Sequence, residues 1–326
     1  MVANETNRSK LGANIVLGDS TLSKESVESL YEVFQNKQIT ILGHDNIDVD
    51  SVISGILLSK LLDFLGIKNK FYILEEVKEN DTYVIMKELL NIDIKEYQKI
   101  GEVANRNLFL VDHYETVHEG EVVAVIDHHP NYKNKKYMYK YVKNSSAAAY
   151  MIYELMKQVK YSFTKEEIKM LIVAMLIDTV AFKSSKTEKA EVDLAKKLAT
   201  EYEIDFEFLE KYSMRITEID KMTEEEIISN GEKWYSFKRS NDVFSSYLQL
   251  YGMPAYEIRE RWLELVKEKL IKTDSELGIF IIYDMQNNET YEYQVKKSKT
   301  SMMIYSGILS RGKDIMPKVE RKYMAN

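Results

Sequence analysis

The chain has no cysteine, three prolines and twelve glycines in 326 residues. Without thiols there is no disulfide, zinc ribbon, iron–sulfur cluster or thiol nucleophile. So little proline and glycine leaves small room for low-complexity linkers. A basic excess is also missing: 45 Lys and Arg against 52 Asp and Glu give a net charge of −7, which argues against a general nucleic-acid binder. No apolar run approaches the roughly 20 residues of a membrane span, and Met1 to Lys10 lack the apolar core of a signal peptide. The cytoplasm is the expected compartment, with neither membrane nor nucleic acid as partner. What the chain does have is bulk: 45% hydrophobic and 11% aromatic residues can bury a sizeable core, and the length suits about two domains.

The first twenty or so residues are polar and unpatterned. Ser23 then stands where a helix cap would, because Val27, Leu30, Tyr31 and Phe34 follow at helical spacing. Residues 1–37 are read as an extension with one helix. From Gln38 short apolar runs alternate with longer helical stretches. Strands are expected at Ile39–Leu42, Phe71–Leu74, Leu108–Val111 and Val122–Ile126. Helices are expected at Val52–Leu65, Ala147–Val159, Lys165–Ile177 and Glu188–Glu203. Alternation of this kind implies an α/β domain with a doubly wound, mostly parallel sheet, placed at 38–215. Past about Tyr212 the rhythm changes. A short helix at Thr223–Ser229 and strands at Trp234–Phe237, Val243–Leu250, Gly278–Tyr283 and Thr290–Val295 surround a helix at Ala255–Leu270. This is read as a second, smaller α/β domain at 216–326.

The informative feature is how the apolar runs end. Ile39–Leu42 leads into Gly43-His44, then Asp48 and Asp50. Leu108–Val111 ends in Asp112-His113, Val122–Ile126 in Asp127-His128-His129, and the helical Leu171–Ile177 in Asp178-Thr179. In a doubly wound sheet the carboxyl ends of the strands share one edge, where ligands bind. Such a crowd of carboxylates repels itself unless a cation neutralises it, and Asp with His and no sulfur suits manganese, magnesium or cobalt. Two such ions form the usual clamp for hydrolysing phosphoric anhydrides or esters. Each position also has a plainer reading. A lone aspartate after a strand is more often a loop residue or helix cap, and Asp50-Ser51 before a helix fits that description. His118, close to glutamates, reads as solvated surface. Four coincidences of one kind favour the metal site.

Gly43-His44-Asp45-Asn46-Ile47-Asp48-Val49-Asp50-Ser51, Val111-Asp112-His113, Asp127-His128-His129 and Asp178-Thr179 resemble the four motifs of the DHH phosphoesterase superfamily. Within it the chain is most similar to the family II, manganese-dependent inorganic pyrophosphatases, from about Gln38 to Pro317, with a second domain of the DHHA2 type. The resemblance implies an active site in the cleft between the domains and two divalent ions, manganese first, with cobalt or magnesium as alternatives. It implies that His44 and Asp48 hold one ion, Asp50, His128 and Asp178 the other, and that Asp112 bridges them. His129 would lie beside the substrate and the attacking water, a hydroxide bridging the two ions. Asp127 and His113 would orient the ligands. Lys233, Arg311 and Lys313 would bind substrate phosphates. A homodimer is a further expectation for the chain, with residues 1–37 as one place for the contact.

Three departures stand out. Ile47 replaces a proline before the first aspartate, Pro130 follows the histidine pair in place of an arginine, and Gly312 replaces a lysine in Ser310-Arg311-Gly312-Lys313. Loss of cations weakens the grip on a small, highly charged substrate most. The resemblance nonetheless makes pyrophosphate the first expectation. Polyphosphate or a phosphoester at the same metal site is the alternative, and a metal-binding protein with little turnover is a third.

Overall fold

A computed structural model describes the chain except residues 1–25, 45–46, 100–106, 115, 117, 130–135, 185–186, 215–221, 236–242, 251–259, 286, 308–310 and 325–326. Ser23, Pro130 and the start of the helix expected at Ala255 lie outside the described residues. The chain divides into two compact units, the second running from Glu210 to the end together with Lys183–Ser185.

The first unit holds five parallel strands: β1 (Gln38–Leu42), β2 (Lys68–Tyr72), β3 (Asn107–Val111), β4 (Glu121–Asp127) and β5 (Tyr139–Val142), in the order β2-β1-β3-β4-β5. The order reverses between β1 and β3, so the loops after these two strands diverge and leave a crevice at their carboxyl ends. Helices Val49–Phe64, Ala148–Gln158, Lys165–Asp178 and Lys189–Glu201 belong to this unit, with a shorter one at Val27–Phe34. Ser26 caps the last of these through its side chain on Ser29 N, at 3.2 Å.

The Val49–Phe64 helix shows no single apolar face because it is buried on every side from Val49 through Leu58 and again at Leu61 and Leu62. Gly55 is what lets it lie on β2. A Cβ there would stand 2.3–2.6 Å from ring carbons of Phe71. Gly55→Ala should therefore destabilise by about 1–3 kcal/mol through overpacking, although alanine alone favours a helix by about 1 kcal/mol. A urea midpoint that stays level or rises in this variant contradicts the packing argument.

The second unit is built on a mixed sheet, β6 (Lys233–Tyr235), β7 (Val243–Leu250), β8 (Gly278–Asp284), β9 (Glu289–Val295) and β10 (Thr300–Ser306), in the order β10-β9-β8-β7-β6. Only β7 and β8 run parallel; the other pairs are antiparallel. Helices Glu224–Ser229 and Glu260–Lys272 cover one face, with Trp262, Val266 and Leu270 packed in a core with Phe244, Phe280 and Tyr293. Ile315, Met316 and Val319 cover the other, against Val243, Ile279 and Ile281.

Candidate metal centre

The carboxyl edge of the first sheet collects the residues that ended the apolar runs. Asp48 caps the Val49–Phe64 helix, one oxygen accepting from Ser51 N at 2.8 Å. The capping role open to Asp50 thus belongs to Asp48. Asp50 sits in the first helical turn, buried, and accepts from Ala148 N at 2.6 Å, Ala149 N at 3.0 Å and Ser54 Oγ at 3.2 Å. Two of those donors are the amino end of the Ala148–Gln158 helix, which suits a carboxylate.

Asp112 directly follows β3 with φ of 66°, its N–H donating to Ile126 O at 2.9 Å. An aspartate in the left-handed region at a strand end is held there by its surroundings, a form of strain that gathers at functional sites. Val180, Ala181 and Phe182 also have φ between 53° and 60°, so the chain turns sharply just after Asp178 and Thr179.

His128 is the centre of the cluster. Its Nδ1 lies 2.9 Å from Ser145 O, a group that only accepts, so Nδ1 carries the proton and Nε2 presents a lone pair. That Nε2 is 3.2 Å from Asp112 Oδ1, 3.7 Å from Asp178 Oδ2 and 3.9 Å from Asp50 Oδ2. Asp112 Oδ1 and His128 Nε2 are buried and have no hydrogen-bond partner among the described residues. A buried carboxylate oxygen and ring nitrogen this close need a proton or a cation between them. The same 3.2 Å separation suits neighbouring ligands on one ion, where bonds of about 2.0–2.2 Å at right angles place them about 3 Å apart.

His129 is different. Its side chain is 37% exposed, and both its N–H (3.0 Å) and its Nδ1 (2.9 Å) engage Asp127 Oδ1. The His44 ring stacks on His113 at 5.4 Å and meets His129 edge-on at 6.0 Å. His113 is buried with Nδ1 2.9 Å from Val111 O. Ligand atoms of His44, Asp48 and Asp112 fall within 4.8 Å of one another, as do those of Asp112, His128 and His129. Asp112 belongs to both groups.

Electrostatics point the same way. Burial pushes Asp50 up to about 6, with Asp178 and Asp48 adding to the rise while His128 opposes it. Burial, then the negative charges of Asp50, Asp48, Asp178 and Asp127, hold Asp112 well above the ordinary carboxylate range. A cation among these groups reverses the balance by favouring their ionised forms. The donor set of oxygens and imidazole fits manganese, magnesium or cobalt.

In the second unit Lys233 lies on β6 opposite Ser245 of β7, and Arg311 donates to the carbonyls of Gly231 and Ser245. These two cations therefore share one edge of that sheet. Burial draws the Arg311 guanidinium below its ordinary value, opposed by Tyr235 and Tyr247. Lys313 falls in the Arg311–Ile315 turn, and its side chain lies outside the described residues.

Residues 38–182 match the model of the DHH family, N-terminal domain. The matched segment contains every residue of the cluster, from His44 to Asp178. Along most of its length the chain is similar to proteins named manganese-dependent inorganic pyrophosphatase. One, from Methanocaldococcus jannaschii, is 27% identical over 87% of this chain and 98% of its own. Another, from Bacillus subtilis, is 24% identical over 86% of this chain and 97% of its own. The fold matches the crystal structure of a Methanococcus jannaschii protein described as a family II inorganic pyrophosphatase, with TM-score 0.67 and 23% identity over 88% of this chain and all of that one.

Sequence reasoning missed the groups that hold the cluster residues in place. Glu191, buried in the first turn of the Lys189–Glu201 helix, accepts from Ser145 Oγ at 2.8 Å and from Ser146 N at 3.2 Å. It fixes the loop whose Ser145 carbonyl orients His128. In the sequence Glu191 looks like any acidic residue at a helix start, and only the Ser145-Ser146 pair before an apolar helix hints at a capped junction.

Proposed function

We propose that this chain is a manganese-dependent hydrolase of phosphoric anhydrides whose first substrate is inorganic pyrophosphate. The observation that carries the reading is Asp112, a buried carboxylate common to two groups of ligand atoms in the DHH domain. His44 and Asp48 would hold one ion, Asp50, His128 and Asp178 a second, with Asp112 shared. Bound there, the pair of ions would supply Lewis acidity to a water and neutralise phosphate charge. The chain's own residues would do the rest. Asp127 holds the Nδ1 side of His129, so Nε2 is the atom through which this ring would exchange a proton with the substrate. His113, stacked on His44, would keep that ligand in place. We assign residues 38–215 to the catalytic domain and 216–326 to a DHHA2-type substrate domain. Lys233, Arg311 and Lys313 would neutralise the substrate phosphates.

The test is phosphate release from pyrophosphate, tripolyphosphate and a phosphomonoester, each with Mn²⁺, Co²⁺ or Mg²⁺. The reading expects pyrophosphate to be cleaved fastest with Mn²⁺ and not at all with chelator. Equal inertness toward every substrate, with Mn²⁺ raising only the melting temperature, would leave a metal-binding protein instead.

Gly312 favours a second reading, in which a longer polyphosphate is preferred. The position is exposed, and nothing lies within 4 Å of where a Cβ would stand. Packing around the Cβ position therefore does not demand a glycine there. A charge-assisted contact contributes roughly 1.5–3 kcal/mol. Gly312→Lys should raise kcat/KM for pyrophosphate about tenfold and that for tripolyphosphate less. If the variant changes nothing while Lys313→Ala abolishes pyrophosphate cleavage, Lys313 already supplies the cation.

A further inference from the structure

Residues 43–48 join β1 to the Val49–Phe64 helix, and both His44 and Asp48 lie on this connection. How the connection is held therefore decides how these two side chains face one another. Ile47 directly precedes Asp48 and stands where the resembled motif carries a proline. Two side chains from elsewhere in the first unit grip its backbone. The Ile47 N–H donates to Glu75 Oε1 at 2.8 Å, and the Thr82 hydroxyl donates to the Ile47 carbonyl at 3.3 Å.

Both of these side chains are presented by anchored backbone. Glu75 stands three residues beyond the end of β2. Before it, the Ile73 N–H donates to Tyr97 O at 2.9 Å, and Ile73 O accepts from Lys99 N at 2.8 Å. After it, the Val77 N–H donates to Gln98 Oε1 at 2.9 Å. Thr82 is buried in the short helix Asp81–Val84, which Asn80 caps by accepting from Tyr83 N at 3.1 Å. Glu75 belongs to neither group of ligand atoms, although it lines one narrow cleft with His44.

We propose that Glu75 is a positioning residue for the ion held by His44 and Asp48: with Thr82 it fixes the Ile47 backbone and so sets Asp48 against His44. A proline restricts φ through its own ring and has no N–H to give. Isoleucine leaves φ open, and the carboxylate bound to its N–H supplies the restraint from outside. Asp48 is then held from both sides, by the Ile47 backbone before it and by the Ser51 N–H that its Oδ1 accepts. Asp50 and His128 are steadied elsewhere, by Ala148 N and Ala149 N and by the Ser145 carbonyl. Loosening Glu75 therefore reaches one ion and spares the other. This role rests on the two-ion reading above; the restraint on Ile47 does not.

Mn²⁺ titration of the chelator-stripped chain tests the role. Glu75→Ala should weaken one of two binding steps about tenfold, the lower end of the range for groups that orient metal ligands, and leave the other unchanged. A carboxylate near an ion also attracts it through space, and Glu75→Gln separates the two effects. The amide keeps an acceptor oxygen without the charge, so it should recover most of the lost affinity. Ile47→Pro removes the same hydrogen bond from its other end. In that background Glu75→Ala should weaken Mn²⁺ binding no further, whatever Ile47→Pro does by itself. Equal weakening of both steps, equal loss in Glu75→Gln and Glu75→Ala, or full additivity with Ile47→Pro would overturn the proposal. Hydrogen exchange at the Ile47 amide, followed in chelator, reads the restraint without metal and should be faster in Glu75→Ala than in the parent. An unchanged rate would overturn the restraint itself. A parent chain that binds no Mn²⁺ while this difference in exchange persists would overturn the two-ion reading, and the positioning role with it, but not the restraint on Ile47.

Discussion

Asp112→Asn should lower turnover by about 10³-fold or more, on the scale of removing a key electrostatic group from an active site. The substitution keeps the shape and removes the charge. It also suits the backbone, since asparagine adopts the left-handed region as readily as aspartate, and φ here is 66°. The one negative charge common to both ligand groups would be gone, so metal analysis should find that bound ions have been lost. The fold should not suffer. In the protein stripped of metal, Asp112 is a buried carboxylate held well above its ordinary range by burial and by four other aspartates. A neutral amide relieves that repulsion, and its N–H₂ can donate to His128 Nε2, 3.2 Å from the present carboxylate oxygen. The melting temperature in chelator should therefore hold or rise while activity collapses. Full metal content with near-parental turnover would show that Asp112 is not a shared ligand.

His128→Ala and His129→Ala should fail in different ways. His128 is buried with its lone pair facing Asp112, Asp178 and Asp50, so its removal should weaken Mn²⁺ binding about 10–100-fold or more, taking the range for outer-shell partners as a lower bound. His129 is 37% exposed and tied to Asp127 through Nδ1. Its loss should leave metal content near the parent's and lower turnover about 10²–10⁴-fold, the usual contribution of a positioned proton donor or acceptor. Mn²⁺ titration and single-turnover phosphate release separate the two effects. Equal loss of metal in both variants would contradict the division of roles.

The elements that carry these residues were legible for a physical reason. β1, β3 and β4 lie within a parallel sheet, so their sequences are continuous apolar runs, and the candidate ligands stand where those runs stop. Edge strands escaped. β2 runs over Lys68–Tyr72, and its polar Lys68-Asn69-Lys70 start hides it, so the apolar signal pointed to Phe71–Leu74. β5, Tyr-Lys-Tyr-Val at the opposite edge, showed no pattern at all, nor did β10, where Met302 and Ile304 are half exposed. The helix Phe206–Met214, the last helix Met316–Met324 and the short turns between Asp81 and Tyr97 also went unread. They are too short or too polar for a clear period. Within the cluster the candidate ligands were visible as residue types, whereas their supports were not. Ala148 N and Ala149 N, the Ser145 carbonyl and the positive φ of Asp112 are backbone features, which residue types do not spell out.

Phosphate release from pyrophosphate, followed while Mn²⁺ is added back to chelator-stripped protein, tests the central claim most directly. Two ions sharing Asp112 predict no release without metal and a rise that levels off at two Mn²⁺ per chain. Release that persists in chelator, or full binding of Mn²⁺ with no phosphate formed, would contradict it.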